Sequence, residues 1–314
     1  KNFFVVSVEK KKAREIFNLE NSPIRFGVAP INWSNDDMPE LGGDYALDTI
    51  LEEMQRSGYS GTEIGNKFPK DSSSIKKVLS KYKLELASAW HSTFFLSKTI
   101  DDELEKIHKK ASLLAESGAV IINIAECTGS VHGAMQMPLS SKPVCNEKDW
   151  DTLTGSLDKA GEICSSYGVS IAYHHHMGTY IQSEKEIFKL LSNTDPKFVN
   201  LCADTGHLFF AGVDPVKFFK ENMNRIRHIH FKDLRPDIFN DIIFEEVSFL
   251  DAVLSGVFTV PGDGCIDFES ISKSIDVSEY SGWIIVEAEQ DPSKANPFEY
   301  AMRSRNYLNK IWSN

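Results

Sequence analysis

The chain has 314 residues, 41% of them hydrophobic, with 45 acidic against 34 basic side chains and a net charge of −11. That length can bury one large α/β core or two ordinary ones. The acidic balance argues against nucleic acid or an anionic membrane as the main partner, and no apolar run approaches the roughly 20 residues of a membrane span. Five cysteines (Cys127, Cys145, Cys164, Cys202 and Cys265), widely spaced and without a CxxC pair, suit thiols in a reducing cytoplasm better than a disulfide framework. The opening KNFFVVSVEKKKAREIF places an apolar patch before its charges, the wrong order for a signal peptide. A cytoplasmic location is therefore expected.

Lys1 to Ser22, with its run KKKAREIFNLENS, reads as an appendage, and a barrel-forming domain is expected over 23–314. Pro23 opens a first strand, IRFGVAPINW, that ends in a loop carrying Asn32 and Trp33. Tyr45 to Ser57 has apolar residues at helical spacing, closed by Gly58. From there one unit recurs: helix, glycine, short apolar strand, polar loop. The second strand, Tyr59 to Gly65, ends with Glu63, the third, LELASAWHS, with His91, and the fourth, AVIINIAEC, with Glu126. The loop Thr128 to Asp149 is long enough to act as a lid.

A helix from Trp150 to Tyr167 leads into SIAYHHHMGT, Ser170 to Thr179. Strand side chains alternate between faces, so Ser170, Ala172, His174 and His176 share one face. Strand six (FVNLCADTGHL) sets Asn200, Cys202 and Asp204 together, and strand seven (IRHIHFKDL) sets His228, His230 and Lys232 together. Arg235 to Gly264 is an insertion with a short helix and a VPGDG turn. Strand eight, GWIIVEAEQD, aligns Ile285, Glu287 and Glu289, and a closing helix spans Pro297 to Trp312. Eight strands alternating with helices predict a single (β/α)₈ TIM barrel. No GxGxxG or GxxxxGK[ST] supports a nucleotide-binding sheet.

Titratable groups at consecutive strand ends, all on the inward face, cannot remain unpaired without a cost of several kcal/mol. A divalent cation bound by His174, Asp204, His230 and Glu287 resolves this, with the choice between His174 and His176 open. Two imidazoles and two carboxylates suit Mn²⁺, Co²⁺ or Zn²⁺ better than Mg²⁺ or Ca²⁺.

The set DTGH (204–207), HIHFKD (228–233), VEAEQDP and VPGDG resembles the xylose isomerase-like barrels, in which Glu, Asp, His and Glu hold one divalent metal. The opening FGVAPINWSNDDMPELGG, the EIGNKFP turn and YHHHMGT are most similar to the inosose dehydratases. This resemblance covers residues 24–312. It implies a carbon–oxygen hydro-lyase of inositol catabolism that removes water from 2-keto-myo-inositol to give a trihydroxycyclohexane-1,2-dione. It also implies Mn²⁺ or Co²⁺ as the metal and glutathione as an additional cofactor, for which no residue here defines a site. Its small-molecule partner is a cyclic polyol ketone, and association into a homo-oligomer stays open.

Where the broader superfamily usually carries Glu on the fifth strand, this chain has His174. A neutral ligand leaves the metal more electrophilic and removes one of the paired bases used in epimerisation. His176 and Lys232 are the expected acid–base pair, with His207 as a further catalytic candidate. Asn32, Trp33, Glu63, His91, Glu126 and Glu289 are expected at the substrate. The rival readings are a metal-dependent ketose isomerase or epimerase and a metal-free sugar-binding barrel.

Overall fold

The computed structural model describes residues 24–243 and 246–313, so the appendage Lys1 to Ser22 lies outside the described residues. Eight parallel strands close a barrel in the order β1 (Ile24–Val28), β10 (Gly282–Val286), β7 (Ile226–Phe231), β6 (Val199–Asp204), β5 (Ser170–His174), β4 (Ile121–Glu126), β3 (Glu85–Thr93) and β2 (Gly61–Ile64). Helices α1 (Leu47–Arg56), α2 (Ser72–Lys81), α3 (Ile100–Ser117), α4 (Glu147–Ser166), α5 (Glu184–Ser192), α7 (Pro215–Asn222) and α10 (Phe268–Val277) connect the strands, and α11 (Pro297–Ser313) closes the chain. This is the (β/α)₈ barrel that the repeating unit predicts.

The local signals behave as their chemistry requires. The Asn146 and Ser183 side chains accept from the backbone N–H three residues on, and Asp149 and Glu186 return the bond, forming capping boxes for α4 and α5. Gly58 and Gly118 adopt left-handed backbone just past α1 and α3.

The period-two alternation holds. Ile284, Val286, Ile171, Tyr173 and Leu201 join the large apolar layer between strands and helices. Their neighbours form two small clusters inside the barrel, Ala29, Ala87, Trp283 and Ile285 in one and Ile121, Ala172 and Cys202 in the other. Trp283 is the bulkiest of these, and it sets the geometry of the closing seam. β1 meets β2 at Gly27 and Gly61, where a Cβ on Gly61 would stand 2.3 Å from the Trp283 ring. Among the described residues the interior below the mouth is thus packed, and a cavity opens at the C-terminal ends of the strands.

Several strands stop earlier than the apolar runs suggest. β5 ends at His174, so His176 lies in the following loop. β6 ends at Asp204, whose carboxylate caps α6 (Thr205–Phe210) by accepting from the His207 N–H. β10 ends at Val286, ahead of Glu287 and Glu289.

The insertion after β7 folds as β8 (Asp233–Leu234), α8 (Pro236–Asn240), α9 (Phe249–Ser255) and β9 (Phe258–Thr259), with β8 and β9 antiparallel. It meets the strand-four loop through a bridge between Pro138 and Ser248 and a bond from Leu139 N to the Val247 carbonyl. The VPGDG turn closes on one carboxylate. Buried Asp233 accepts from the N–H groups of Leu234 (2.9 Å), Gly262 (3.2 Å), Gly264 (3.0 Å) and Ile266 (2.9 Å). Asp233→Ala leaves these donors without a partner and is expected to cost about 3 kcal/mol in urea unfolding. A change within about 0.5 kcal/mol, the size of an ordinary surface substitution, would show that the turn holds itself.

Candidate metal centre and active site

Four side-chain atoms from four strand ends converge at the mouth. His174 Nε2 lies 3.6 Å from Asp204 Oδ2 and 3.3 Å from His230 Nδ1, which is itself 3.7 Å from Asp204 Oδ2 and 3.1 Å from Glu287 Oε2. A tetrahedral cation with bonds of about 2.1 Å separates its ligands by about 3.4 Å; these four distances fit that spacing, and Asp204, His230 and Glu287 offer ligand atoms within 4.8 Å of one another. Asp204 Oδ2 is buried and has no hydrogen-bond partner. A buried carboxylate oxygen without a hydrogen bond is costly; Lys232 Nζ at 3.7 Å offsets its charge in part, and a divalent cation would complete it. His176 lies outside this set. Its Nδ1 donates to the Met177 carbonyl at 2.8 Å, and its ring centre is 5.6 Å from that of His174.

Lys232, fully buried, stands behind the carboxylates. Its Nζ is 2.6 Å from Glu287 Oε1, 2.7 Å from Glu289 Oε2, 3.7 Å from Asp204 Oδ2 and 3.2 Å from His207 Nε2. Burial pulls its pKa down, but the charges of Glu287, Glu289 and Asp204 outweigh this and hold it raised. Burial raises the Glu289 pKa against the opposing pull of Lys232. Burial, with His132 and His174 nearby, lowers that of His176 well below its ordinary value. The His176 ring is therefore neutral and protonated at Nδ1, which puts its lone pair on Nε2. His207 is buried under α9, its ring 3.9 Å from His176 and 5.7 Å from Phe249.

The cavity in front of this cluster has a volume of about 290 Å³, at the small end for ligand sites. His174, His176, His230, Glu63, Glu287 and Glu289 line it. Other expected contacts are not brought there. Trp33 is fully buried and donates from its indole N–H to Glu53. Asn32 accepts from the Ala288 N–H at 2.9 Å, fastening the β1 exit to the β10 exit. His91 points outward toward α3, where burial and Lys110 lower its pKa to about 4. Glu126, at an outward position of β4, accepts from Thr93, Phe95 N and Thr128 N. Lys232 and His207 do not line the cavity directly.

Sequence reasoning missed Trp90, Asp36, Asp37, Asn66, Asn123 and His132, all of which line the cavity. Alternation along β3 could have found Trp90, since it and His91 necessarily face opposite ways. His132 belongs to the long strand-four loop, where no periodicity marks it. Its place is set by a bond from Val131 N to the Gly178 carbonyl (2.8 Å). A side chain at Gly178, which has φ +77°, would stand 2.9 Å from His132 N.

Residues 51–311 match the family model of the xylose isomerase-like TIM barrel, and the chain belongs to that superfamily. It is 46% identical to the inosose dehydratase of Geobacillus thermodenitrificans (strain NG80-2) over 92% of this chain and 97% of that one. The inosose dehydratase of Clostridium beijerinckii (strain ATCC 51743 / NCIMB 8052) is 45% identical over 92% and 98%. Within the superfamily, then, the chain is a member of the inosose dehydratase family of carbon–oxygen hydro-lyases. Among solved structures the barrel superposes on the IOLI protein with a bound zinc atom, at TM-score 0.68 and 13% identity, covering 92% and 98% of the two chains. At that identity the likeness is one of fold.

Equilibrium dialysis against Mn²⁺ or Zn²⁺ tests the convergence of the four atoms. Glu287→Gln is expected to drop bound metal from near one per chain to well below half, with the far-UV circular dichroism unchanged. Full retention of metal by the variant would place the cation elsewhere.

Proposed function

We propose that the protein is a metal-dependent dehydratase that removes water from 2-keto-myo-inositol to give a trihydroxycyclohexane-1,2-dione in inositol catabolism, with Mn²⁺ or Co²⁺ as its metal. The observation that carries the reading is the ligand-spaced set His174, Asp204, His230 and Glu287 in a chain 46% identical to an inosose dehydratase along its length. The cavity supports an uncharged substrate. Asp36, Asp37, Glu63, Glu287 and Glu289 line it, and no lysine or arginine does among the described residues, so a phosphate would meet carboxylates without a cationic seat. Asn66, Asp36 and Asp37 offer the hydrogen-bonding groups that a ring of hydroxyls needs.

His174, Asp204, His230 and Glu287 would hold a divalent cation, whose Lewis acidity would lower the cost of forming an enolate from the ketone. His176 takes the proton on the carbon beside the ketone. Its Nδ1–H is held by the Met177 carbonyl, which leaves Nε2 as the acceptor. The hydroxyl on the next carbon leaves as water once it receives a proton, and the enol product tautomerises to the dione. Lys232 is screened from the cavity, so its part on the acid side passes through Glu289, which lines the cavity and accepts from Lys232 at 2.7 Å. His132 closes the cavity from the lid, its ring 5.2 Å from that of His176.

The test is to incubate purified protein with 2-keto-myo-inositol, with and without metal, and to follow the dione by NMR. Formation of the dione that stops on chelation and returns with Mn²⁺ or Co²⁺ is expected. Solvent deuterium entering ketoses without any dione would replace this reading with the epimerase one. His176→Ala should lower kcat by about 10²–10⁴-fold while bound metal stays near one per chain, and loss of the metal would make His176 a ligand. His132→Ala should lower kcat/KM by about tenfold, the size of one lost hydrogen bond, without moving the melting temperature. An unchanged kcat/KM would make the loop a mere surface connection.

A further inference from the structure

We propose that Glu63 is a positioning residue that selects the ligating tautomer of His230, rather than a group that contacts substrate. This rests on the metal site proposed above. Glu63 sits on β2 where the register against β3 slips: Thr62 pairs with Leu86, but Glu63 pairs with Ser88. The slip sets its carboxylate against the Ser88 hydroxyl deep in the barrel.

Glu63 Oε1 accepts from Ser88 Oγ, from Asn123 Nδ2 at 2.9 Å, from His228 Nε2 at 2.8 Å and from His230 Nε2 at 3.1 Å. A carboxylate only accepts, so both histidines present N–H from Nε2, and a cation at Nδ1 of His230 would replace the proton that this atom otherwise directs at Glu287 Oε2. A neutral ring protonated at Nε2 has its lone pair on Nδ1. In His230 that atom is the one facing Glu287 Oε2, His174 Nε2 and Asp204 Oδ2. The hydrogen bond on one side of the ring thus decides that the other side can bind a cation, and it makes the imidazole a stronger donor. The other donors keep Glu63 itself in place. His228 is fully buried and Asn123 also reaches Ser88 at 3.0 Å. Glu63 borders the cavity, but its Oε1 has no capacity left for a substrate hydroxyl and its side chain is only 10% exposed.

The two roles separate in measurement. For Glu63→Gln, competition with a chromophoric chelator should show metal bound about 10–100-fold more weakly than by the wild type. At saturating metal, KM should stay within about twofold. Wild-type metal affinity with a raised KM would return Glu63 to the substrate and overturn the proposal. Should the variant fail to fold, heteronuclear NMR of the ring nitrogens in histidine-labelled wild-type protein decides. In the metal-loaded protein, His230 protonated at Nε2 with no proton on Nδ1 is expected, and the opposite tautomer overturns the proposal. A wild-type protein that binds no divalent cation would sink the metal reading itself, an outcome distinct from equal binding by wild type and variant.

Discussion

Lys232 has no access to solvent, and its ammonium is what lets three carboxylates share one small space. Asp204, Glu287 and Glu289 all lie within 3.7 Å of it. Without a central cation, their mutual repulsion and desolvation would push protons onto them. Removing one partner from such a buried cluster typically costs about 3–5 kcal/mol, so the network constrains every strand end it touches. Its backbone is fixed as firmly as its head group. Thr205 Oγ1 donates to the Lys232 carbonyl (2.8 Å) and accepts from the Lys232 N–H (2.9 Å), locking the exit of β6 to that of β7.

The insertion supplies the dry side of this arrangement. Phe249 packs against His176 and His207, and Phe258 against His207 and the Lys232 ammonium. These rings exclude water from the face of the histidines away from the cavity, and low local dielectric strengthens each charge interaction beside them. Because the insertion is tied to the strand-four loop through Pro138, Leu139, Val247 and Ser248, the two excursions form one cover. The residue that lines the cavity from above, His132, and those that wall it from behind therefore belong to a single connected piece of chain.

Legibility in the sequence follows the reach of the alternation rule. Along β5, β6, β7 and β10 the backbone is extended and one face is buried inside the barrel, so period two assigned His174, Asp204, His230 and Glu287 to the interior from residue order alone. The rule fails where the chain leaves extended geometry. Asn32 lies in a short 3₁₀ turn after β1 with Trp33 at its end, and there the two side chains fasten neighbouring strand exits instead of facing the cavity. Choosing His91 over Trp90 ranked chemical interest above the face. Glu126 was legible as outward, since Asn123 on the same strand points inward. Glu63 was correctly set at the mouth end of its strand, but its commitment to His228 and His230 depends on a register slip that no local pattern announces. Lys232 shared the predicted face, yet its screening behind Glu287 and Glu289 is a matter of three-dimensional crowding.

The charge of the ligand set bears on the kind of proton chemistry the site favours. In the proposed ligand set the charges of Asp204 and Glu287 together would balance a divalent cation, while Lys232 stands 2.7 Å from Glu289. Exchange at a single carbon needs two bases facing one another across it. Here His176 lines the cavity with its Nδ1 held by the Met177 carbonyl, while Glu287 and Glu289, which also line it, are both engaged by Lys232. One histidine base and a lysine-backed carboxyl match the needs of the proposed elimination, in which a proton leaves one carbon and a proton is delivered to the hydroxyl of the next. A carboxylate in place of His174 would add a negative charge beside the cation, weaken its pull on a ketone oxygen, and supply the second base that epimerisation requires. As a ligand of the proposed metal, the histidine on β5 would disfavour exchange by two routes at once, through the electrophilicity of the centre and through the number of bases that face the substrate.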